Sequence, residues 1–202
     1  MVIREENKPI MEIISRDGRG ITFLMKGISL TMGNALRRIM MSEIRIFSTD
    51  VVQFFRNDSL LDDEFVAHRL GMVVLDSSIL NEIDNNVTEV VLSLNVVCTS
   101  NEPLDVTVDM IKTDNPSVKA LYGDTIITRL FKGGGLSFSA IARVGRGIDH
   151  AKWNPVCGIG MEPVGKDVKI SMETTGALDN KVIVEKALKI LSDKLSKLQS
   201  AL

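Results

Sequence analysis

The sequence predicts an α+β protein with helices near its two ends and a mostly β middle. Apolar residues recur every three or four positions after residues 29 and 179, which is the pattern of amphipathic helices. Between these segments, apolar and polar residues alternate with a period of two, which is the pattern of half-buried strands. A composition of 45% hydrophobic and 25% charged residues is ordinary for a globular protein, so a buried core is expected.

The N-terminal elements are predicted to be a hairpin and a helix. The segments IMEIIS and ITFLMKG flank Asp17-Gly18, a strong signal for a turn between antiparallel strands. Ser29 is placed to cap the next helix, and Gly33 lies inside it although glycine costs about 1 kcal/mol relative to alanine there. Close approach of another backbone is one reason for a glycine at this position. The residues that recur at helical spacing are Met32, Leu36, Ile39 and Met40.

The middle of the chain is predicted to form strands and one short helix. The segments TDVVQFF, VTEVVLSLNVV, DTIITRLF and LSFSAIARV predict strands, and KGGG predicts the turn between the last two. The stretch DDEFVAHRLG predicts a short helix with Phe65, Leu70 and Met72 near one side. Residues 99–124 contain prolines, asparagines and aspartates, and predict a loop region with one short strand at DVTV.

The C-terminal part is predicted to be a strand followed by a long amphipathic helix. KDVKISMETTG alternates in the manner of a strand, and Asp179 is placed to cap the helix. Apolar residues of this helix are spaced by four and three positions, which is the seam of a coiled coil. The seam can cover the chain's own sheet or meet a second subunit, and the pattern leaves both open. Its members are Val184, Leu188, Leu191, Leu195, Leu198 and Leu202.

Composition argues against several classes of protein. A net charge of −2 and a pI of about 5.8 do not favour an autonomous nucleic-acid binder, which usually carries a basic field. Two isolated cysteines, Cys98 and Cys157, do not make a zinc finger and are expected to be free thiols. The start MVIREENKPI lacks the apolar core of a signal peptide, and no run of about 18 apolar residues occurs. We therefore expect a soluble intracellular protein that does not bind membranes.

One stretch carries a candidate for catalysis. Glu64 and His68 are four residues apart and share a helical face, so together with Asp63 they are candidate ligands of a metal-dependent hydrolase. A metal usually needs at least three protein ligands, and carboxylates in a first helical turn are favoured by the helix dipole without any metal. The structural interpretation is therefore preferred, and no catalytic residue, metal or cofactor is predicted.

The second histidine lies in a basic stretch with the only tryptophan. His150, Lys152 and Trp153 fall within four residues and follow Arg143 and Arg146. Such a stretch could stack on nucleic acid, form a contact with another protein, or be a loop pinned in the core by its tryptophan. The sequence pattern leaves these alternatives open.

Four stretches together resemble one family. GNALRRIMMSEI, DSLLDDEFVAHRLGMVVL, ARVGRGIDHAKWNPV and METTGALDNKVIVEKAL occur in the order and spacing of the alpha-like subunits of multisubunit DNA-dependent RNA polymerases. DEFVAHRLG and HAKW are similar to the D-type alpha-like subunit of archaea and the third-largest subunit of eukaryotic polymerase II, rather than to bacterial alpha. The similarity extends from about residue 20 to residue 200.

The resemblance implies a non-catalytic assembly subunit. It implies a discontinuous dimerisation domain of residues 1–49 and 165–202, an antiparallel sheet with two helices, and a mostly β insert domain of residues 50–164. The long helix and the NALRR helix are expected to pair with a smaller alpha-like subunit, and the dimer is then the platform for the second-largest and largest subunits. Catalysis belongs to those two subunits, and DNA is contacted only through the complex. A homodimeric scaffold, as in bacterial alpha, is the alternative.

The resemblance also implies a set of interface residues and leaves the source open. Many members carry a cysteine-rich loop or an iron–sulfur domain in the insert, whereas DSSILNEIDNNVTEVV has no cysteine, so a metal-free insert is expected. The protein would act in the nucleus if it is eukaryotic and in the cytoplasm if it is prokaryotic or viral. The expected interface residues are Asn34, Arg37, Arg38, Glu64, His68, Arg69, His150, Lys152, Trp153, Leu188, Leu191 and Leu195.

Overall fold

The protein is described by a computed structural model that covers residues 10–81 and 87–201. Its contacts divide the chain into two compact units. The two-segment unit takes the residues up to 44 and those from 154 onward, and the central unit is residues 45–153. The α+β class is confirmed, with helices and antiparallel sheets in the places that the apolar patterns predict.

Three α-helices and ten strands make up the described regular structure, besides three short 3-10 turns. The helices are α1 (Leu30–Ser42), α2 (Asp63–Gly71) and α3 (Asn180–Ser200). The strands are β1 (Ile10–Arg16), β2 (Gly20–Lys26), β3 (Arg45–Asn57), β4 (Glu89–Val97), β5 (Leu104–Thr107), β6 (Lys112–Thr113), β7 (Ile126–Leu130), β8 (Gly135–Arg146), β9 (Val156–Val164) and β10 (Asp167–Thr174). Among the described residues, no helix is long and apolar enough to cross a membrane.

The two-segment unit is an antiparallel sheet with two helices on one face. Its strand order is β1-β2-β10-β9, so the central pair joins the start of the chain to its end. Phe23 of β2 lies opposite Ile170 of β10, and both are fully buried because α1 and α3 pack near this face. The alternating apolar residues of the two strands therefore form one continuous surface beneath the helices.

Both helices of this unit begin where the sequence predicts. The Ser29 side chain accepts a hydrogen bond from the Met32 amide, and the Asp179 carboxylate accepts one from the Lys181 amide. Gly33 is a point of close packing, but side chains approach it rather than the backbone that the sequence suggested. A Cβ atom at Gly33 would lie 2.8 Å from Cγ1 of Val168 and 3.3 Å from Sδ of Met161. Only glycine lets α1 lie this close to the sheet.

The central unit contains a sheet in the order β3-β8-β4-β6 and a separate pair, β5-β7. The predicted alternation of β4 and β8 is confirmed, because Leu92, Leu94 and Phe138 are buried in one apolar core. Helix α2 packs on this core through Val66 and Leu70, which are one helical turn apart.

Two expectations about helix faces are wrong. The sequence pattern places Phe65 and Met72 beside Leu70, but they are 62% and 57% exposed. Helix α2 has nine residues with apolar side chains on two sides, and the side with Val66 and Leu70 packs against the core. On α1, Met32 is 37% exposed, and the buried side is Gly33, Leu36, Ile39 and Met40.

The boundaries between the two units of the structure differ from the domain boundaries that the sequence resemblance implies. Residues 45–49 belong to β3, which lies wholly in the central unit. Strand β9 is not predicted by the sequence, and it pairs with β10 in the two-segment unit rather than joining the insert. Its Gly158, Gly160 and Pro163 have low β propensity, so the local sequence does not show the strand.

A buried asparagine ties the first hairpin to α3. The side-chain amide of Asn180 donates to the Gly20 and Asp17 carbonyls, and its oxygen accepts from Nε of Arg16 at 2.9 Å. We expect Asn180→Leu to lower the free energy of unfolding by about 1–3 kcal/mol, because it leaves buried polar groups without a partner. Urea unfolding measures this loss.

The surface substitution Asn101→Leu is the control, with an expected change within about 0.5 kcal/mol. An Asn180→Leu midpoint equal to that of the unchanged chain would show that the hairpin and α3 are held together without this residue.

Candidate partner interface

Helix α3 has two halves with different surroundings. The first half buries Asn180, Ile183, Val184 and Ala187 inside its own unit. Residues 192–200 are exposed on every side. The N-terminal half of α3 therefore packs in the core of its unit, and the C-terminal half is exposed to solvent.

The predicted seam of α3 divides at the same place. Val184 is buried and Leu191 is half-buried, whereas Leu188, Leu195 and Leu198 are 41%, 50% and 65% exposed. Leu202 lies outside the described residues. The α3 stripe, which we define as Leu188, Leu191, Leu195 and Leu198, is thus mostly uncovered in the single chain. An apolar stripe in water promotes association with another apolar surface.

The two arginines of α1 have different environments. Arg37 is half-buried and donates from Nε and Nη2 to Oδ1 of Asn34, with both distances at 3.1 Å. Its Nη1 also lies 3.1 Å from Sδ of Met41. Arg38 is exposed, and its side chain has no hydrogen bond or ion pair within the described ranges. Arg38 is therefore the arginine that is available to a partner, while Arg37 is held by its own helix.

Strand β1 is an exposed apolar edge that the sequence-based interface set does not include. All seven of its residues are exposed, and Ile10, Ile13 and Ile14 are more than half exposed. The signal is present in IMEII, where apolar residues do not alternate with polar ones. A strand with apolar residues on both faces needs cover on both faces, and the described part of this unit does not supply it.

The candidate hydrolase residues Asp63, Glu64 and His68 lie on the exposed side of α2. Oδ1 of Asp63 accepts from Nδ2 of Asn57 at 2.8 Å. Glu64 and His68 are exposed, and neither side chain has a hydrogen bond among the residues that the structure describes. Nη2 of Arg69 donates to the Ile126 carbonyl and fastens α2 to β7. Within residues 10–81 and 87–201, no three His, Cys, Asp or Glu side chains are grouped to hold a metal ion.

Trp153 is packed within its own unit. Its Nε1 donates to the Arg143 carbonyl at 3.0 Å, and its ring lies against Gly145. Nζ of Lys152 lies 4.3 Å from the ring centroid and pairs with Oδ1 of Asp50 at 2.7 Å. This hydrogen bond lowers the pKa of the Asp50 carboxyl. These contacts fit the interpretation of HAKW as a loop pinned by its tryptophan, and they leave His150 exposed.

Comparison with known proteins identifies a polymerase family. Residues 22–195 match the family described as the RNA polymerase Rpb3/Rpb11 dimerisation domain. The match covers α1, the whole central unit and most of α3.

Curated relatives carry the names of polymerase subunits. The chain is 40% identical over 149 residues to DNA-directed RNA polymerase subunit Rpo3 of Pyrococcus horikoshii, with 72% of this chain and 56% of that protein covered. It is 34% identical to DNA-directed RNA polymerase II subunit rpb3 of Dictyostelium discoideum, with 74% and 56% covered. It is 31% identical to Rpo3 of Methanocaldococcus jannaschii, with 96% and 93% covered. The chain thus spans about half the length of the first two relatives and nearly all of the third.

The contact between Gly145 and Trp153 provides a test of whether the tryptophan holds this loop in place. A Cβ atom at residue 145 would lie 2.3 Å from two atoms of the indole ring. We expect Gly145→Ala to displace the ring and to lower the free energy of unfolding by about 1–3 kcal/mol, the usual cost of overpacking. The fluorescence of Trp153, the only tryptophan, reports both the displacement and the unfolding.

The control is Gly158→Ala, because nothing lies within 4 Å of the added carbon there. If Gly145→Ala and Gly158→Ala unfold at the same urea concentration and give the same emission spectrum, the indole does not depend on this packing.

Proposed function

The chain belongs to the RNA polymerase Rpb3/Rpb11 dimerisation-domain family, and from this premise we propose that it is a non-catalytic assembly subunit of a DNA-dependent RNA polymerase. The observation that carries the proposal is the α3 stripe. It is apolar, it continues a helix whose other end is anchored in the core, and it is largely uncovered in the single chain. These are the properties of a surface that a second subunit covers.

The partner on the α3 stripe is a smaller alpha-like subunit in this proposal. The two-segment unit then acts as the dimerisation domain, and the central unit acts as the insert domain. The resulting dimer serves as the platform for the second-largest and largest subunits, which carry catalysis and contact DNA. The names of the relatives support a place in a polymerase, and the uncovered stripe supports pairing through α3.

A homodimeric scaffold is the second candidate, because an uncovered stripe also fits a second copy of the same chain. Light scattering separates the two. A chain expressed alone that forms a stable dimer, and that does not exchange with a co-expressed smaller subunit, would favour the homodimer. The hydrolase candidate on Asp63, Glu64 and His68 has no observation in its favour.

Leu195 provides the test of the stripe. It is half exposed in the single chain, so a substitution there affects pairing more than folding. We expect Leu195→Glu to weaken pairing by tenfold or more, because burying a leucine contributes about 1.5–3 kcal/mol and an unpaired buried carboxylate opposes pairing. Co-expression with the smaller alpha-like subunit, followed by size-exclusion chromatography, measures the yield of the heterodimer.

Ser196→Glu is the matched control, because it introduces the same charge one residue along the helix and off the stripe. Wild-type yield of heterodimer with Leu195→Glu would mean that the stripe is not the subunit interface.

Arg38 is proposed to dock the dimer onto the second-largest subunit. Its side chain has no partner within the described chain, and its planar guanidinium suits a carboxylate across an interface. Truncation of a desolvated charge pair costs about 2–5 kcal/mol, whereas a contact at the rim costs little. We therefore expect Arg38→Ala to keep the fold and the heterodimer but to lower the recovery of the large subunits in affinity purification.

Arg37→Ala is the comparison, with a smaller expected effect because Asn34 already binds this guanidinium. Full recovery of the assembled enzyme with both arginines replaced by alanine would exclude the docking role.

A further inference from the structure

One ion pair joins the exposed half of α3 to the rest of its unit. Nζ of Lys194 donates to Oε1 of Glu43, the residue that caps the C-terminus of α1. Among the residues that the structure describes, no other side-chain hydrogen bond or ion pair connects residues 192–200 with a different element. The polar attachment of this half of the helix therefore depends on a single contact.

Glu43 is a fixed point for that contact. Its amide donates to the Ile39 carbonyl at 3.0 Å and so closes α1, and the next residue, Ile44, is 1% exposed. The side chain of Glu43 is 23% exposed, compared with 52% for that of Lys194. An acid whose backbone is anchored beside the core thus holds a base that lies on a more exposed helix.

Lys194 extends the attached side of α3 beyond its core. It follows Ala187, the last buried residue among those described in this helix, by about two helical turns and lies on nearly the same side. Two turns of an α-helix advance by about 11 Å. The ion pair therefore attaches the helix about 11 Å further from the point where the core ends.

Lys194 also borders the α3 stripe. Leu191 lies three residues before it and Leu198 four residues after it, so both leucines are its neighbours on the helix surface. Any bending or rotation of this part of the helix moves these leucines together with Lys194. The contact with Glu43 therefore sets the direction in which the stripe faces.

We infer that the Glu43–Lys194 ion pair is a positioning contact for the pairing of α3 with a second subunit. The inference rests on the proposed function, in which that subunit covers the α3 stripe. A surface that is already held in its paired geometry loses less conformational entropy on association than a mobile one. Pairing through an apolar stripe then becomes sensitive to ionic strength, because the contact that directs the stripe is a pair of charges.

Hydrogen exchange of the chain alone, at high dilution, tests the positioning without any partner. Glu43→Gln keeps the shape of the side chain and removes its charge, so we expect the amides of residues 192–200 to exchange at least threefold faster. Residues 180–187 are expected to exchange at an unchanged rate. The urea midpoint is also expected to stay the same, because an ion pair near the surface contributes little to global stability.

Lys197→Gln is the matched control for this measurement. Lys197 lies in the same exposed half of α3, and its side chain has no ion pair within the described part of the chain. Equal exchange of residues 192–200 in Glu43→Gln and Lys197→Gln would overturn the inference.

Affinity for the smaller alpha-like subunit is the second readout. We expect Glu43→Gln and Lys194→Gln each to weaken pairing at least threefold, and the double variant to lose no more than either one, because both break the same contact. The charge exchange of Glu43→Lys with Lys194→Glu is expected to recover most of the affinity. Additive losses, or a charge exchange that pairs no better than the single variants, would overturn the positioning role.

Salt separates this contact from the stripe itself. The screening length falls from about 10 Å at 0.1 M salt to about 3 Å at 1 M, so the advantage of the unchanged chain over Glu43→Gln is expected to shrink as sodium chloride is raised over this range. An advantage that stays constant would contradict an electrostatic contact. Failure of the unchanged chain to pair at any salt concentration would refute the proposed function, whereas hydrogen exchange of the chain alone decides independently whether the ion pair positions α3.

Discussion

The antiparallel pairing of β2 with β10 is the contact on which the two-segment unit depends. It joins residues 20–25 to residues 168–173, so the unit cannot close until both ends of the chain are present. The central unit also brings its two ends together. Arg45, at the start of β3, lies opposite Arg146, at the end of β8. An insert that begins and ends on neighbouring strands can interrupt a sheet protein without separating the strands that must pair.

Helix α3 shows how one element can contribute to a core at one end and, in the proposed assembly, to a subunit interface at the other. Asn180 binds the first hairpin, Ile183 and Ala187 are buried, and the turns that follow emerge into solvent. A helix anchored at one end holds its free end in a defined direction, so less conformational entropy is lost when a partner covers it. The same arrangement leaves Leu188, Leu195 and Leu198 exposed in the single chain, and exposed leucines promote association.

The fold changes the interpretation of two motifs in the central unit. HAKW has the composition of a binding hot spot, yet Trp153 lies on Gly145 and Lys152 is engaged by Asp50. The histidines look unrelated in the sequence, yet β3, α2 and the loop before Trp153 bring them to one cavity. Packing of the tryptophan and the ion pair fixes the loop, and the fixed loop is what positions His150.

Periodicity in the sequence was enough to determine the helices, most strands, both helix caps and the apolar seam, because each depends on residues within a few positions of one another. Strand β9, the exposed side of α2 and the division of the seam between core and solvent were decided by tertiary structure. Gly158 and Gly160 form a strand only because β10 supplies hydrogen-bond partners, and Phe65 is exposed only because the core takes Val66. The cavity with His68 and His150 likewise requires pairing of distant strands, which local sequence does not encode.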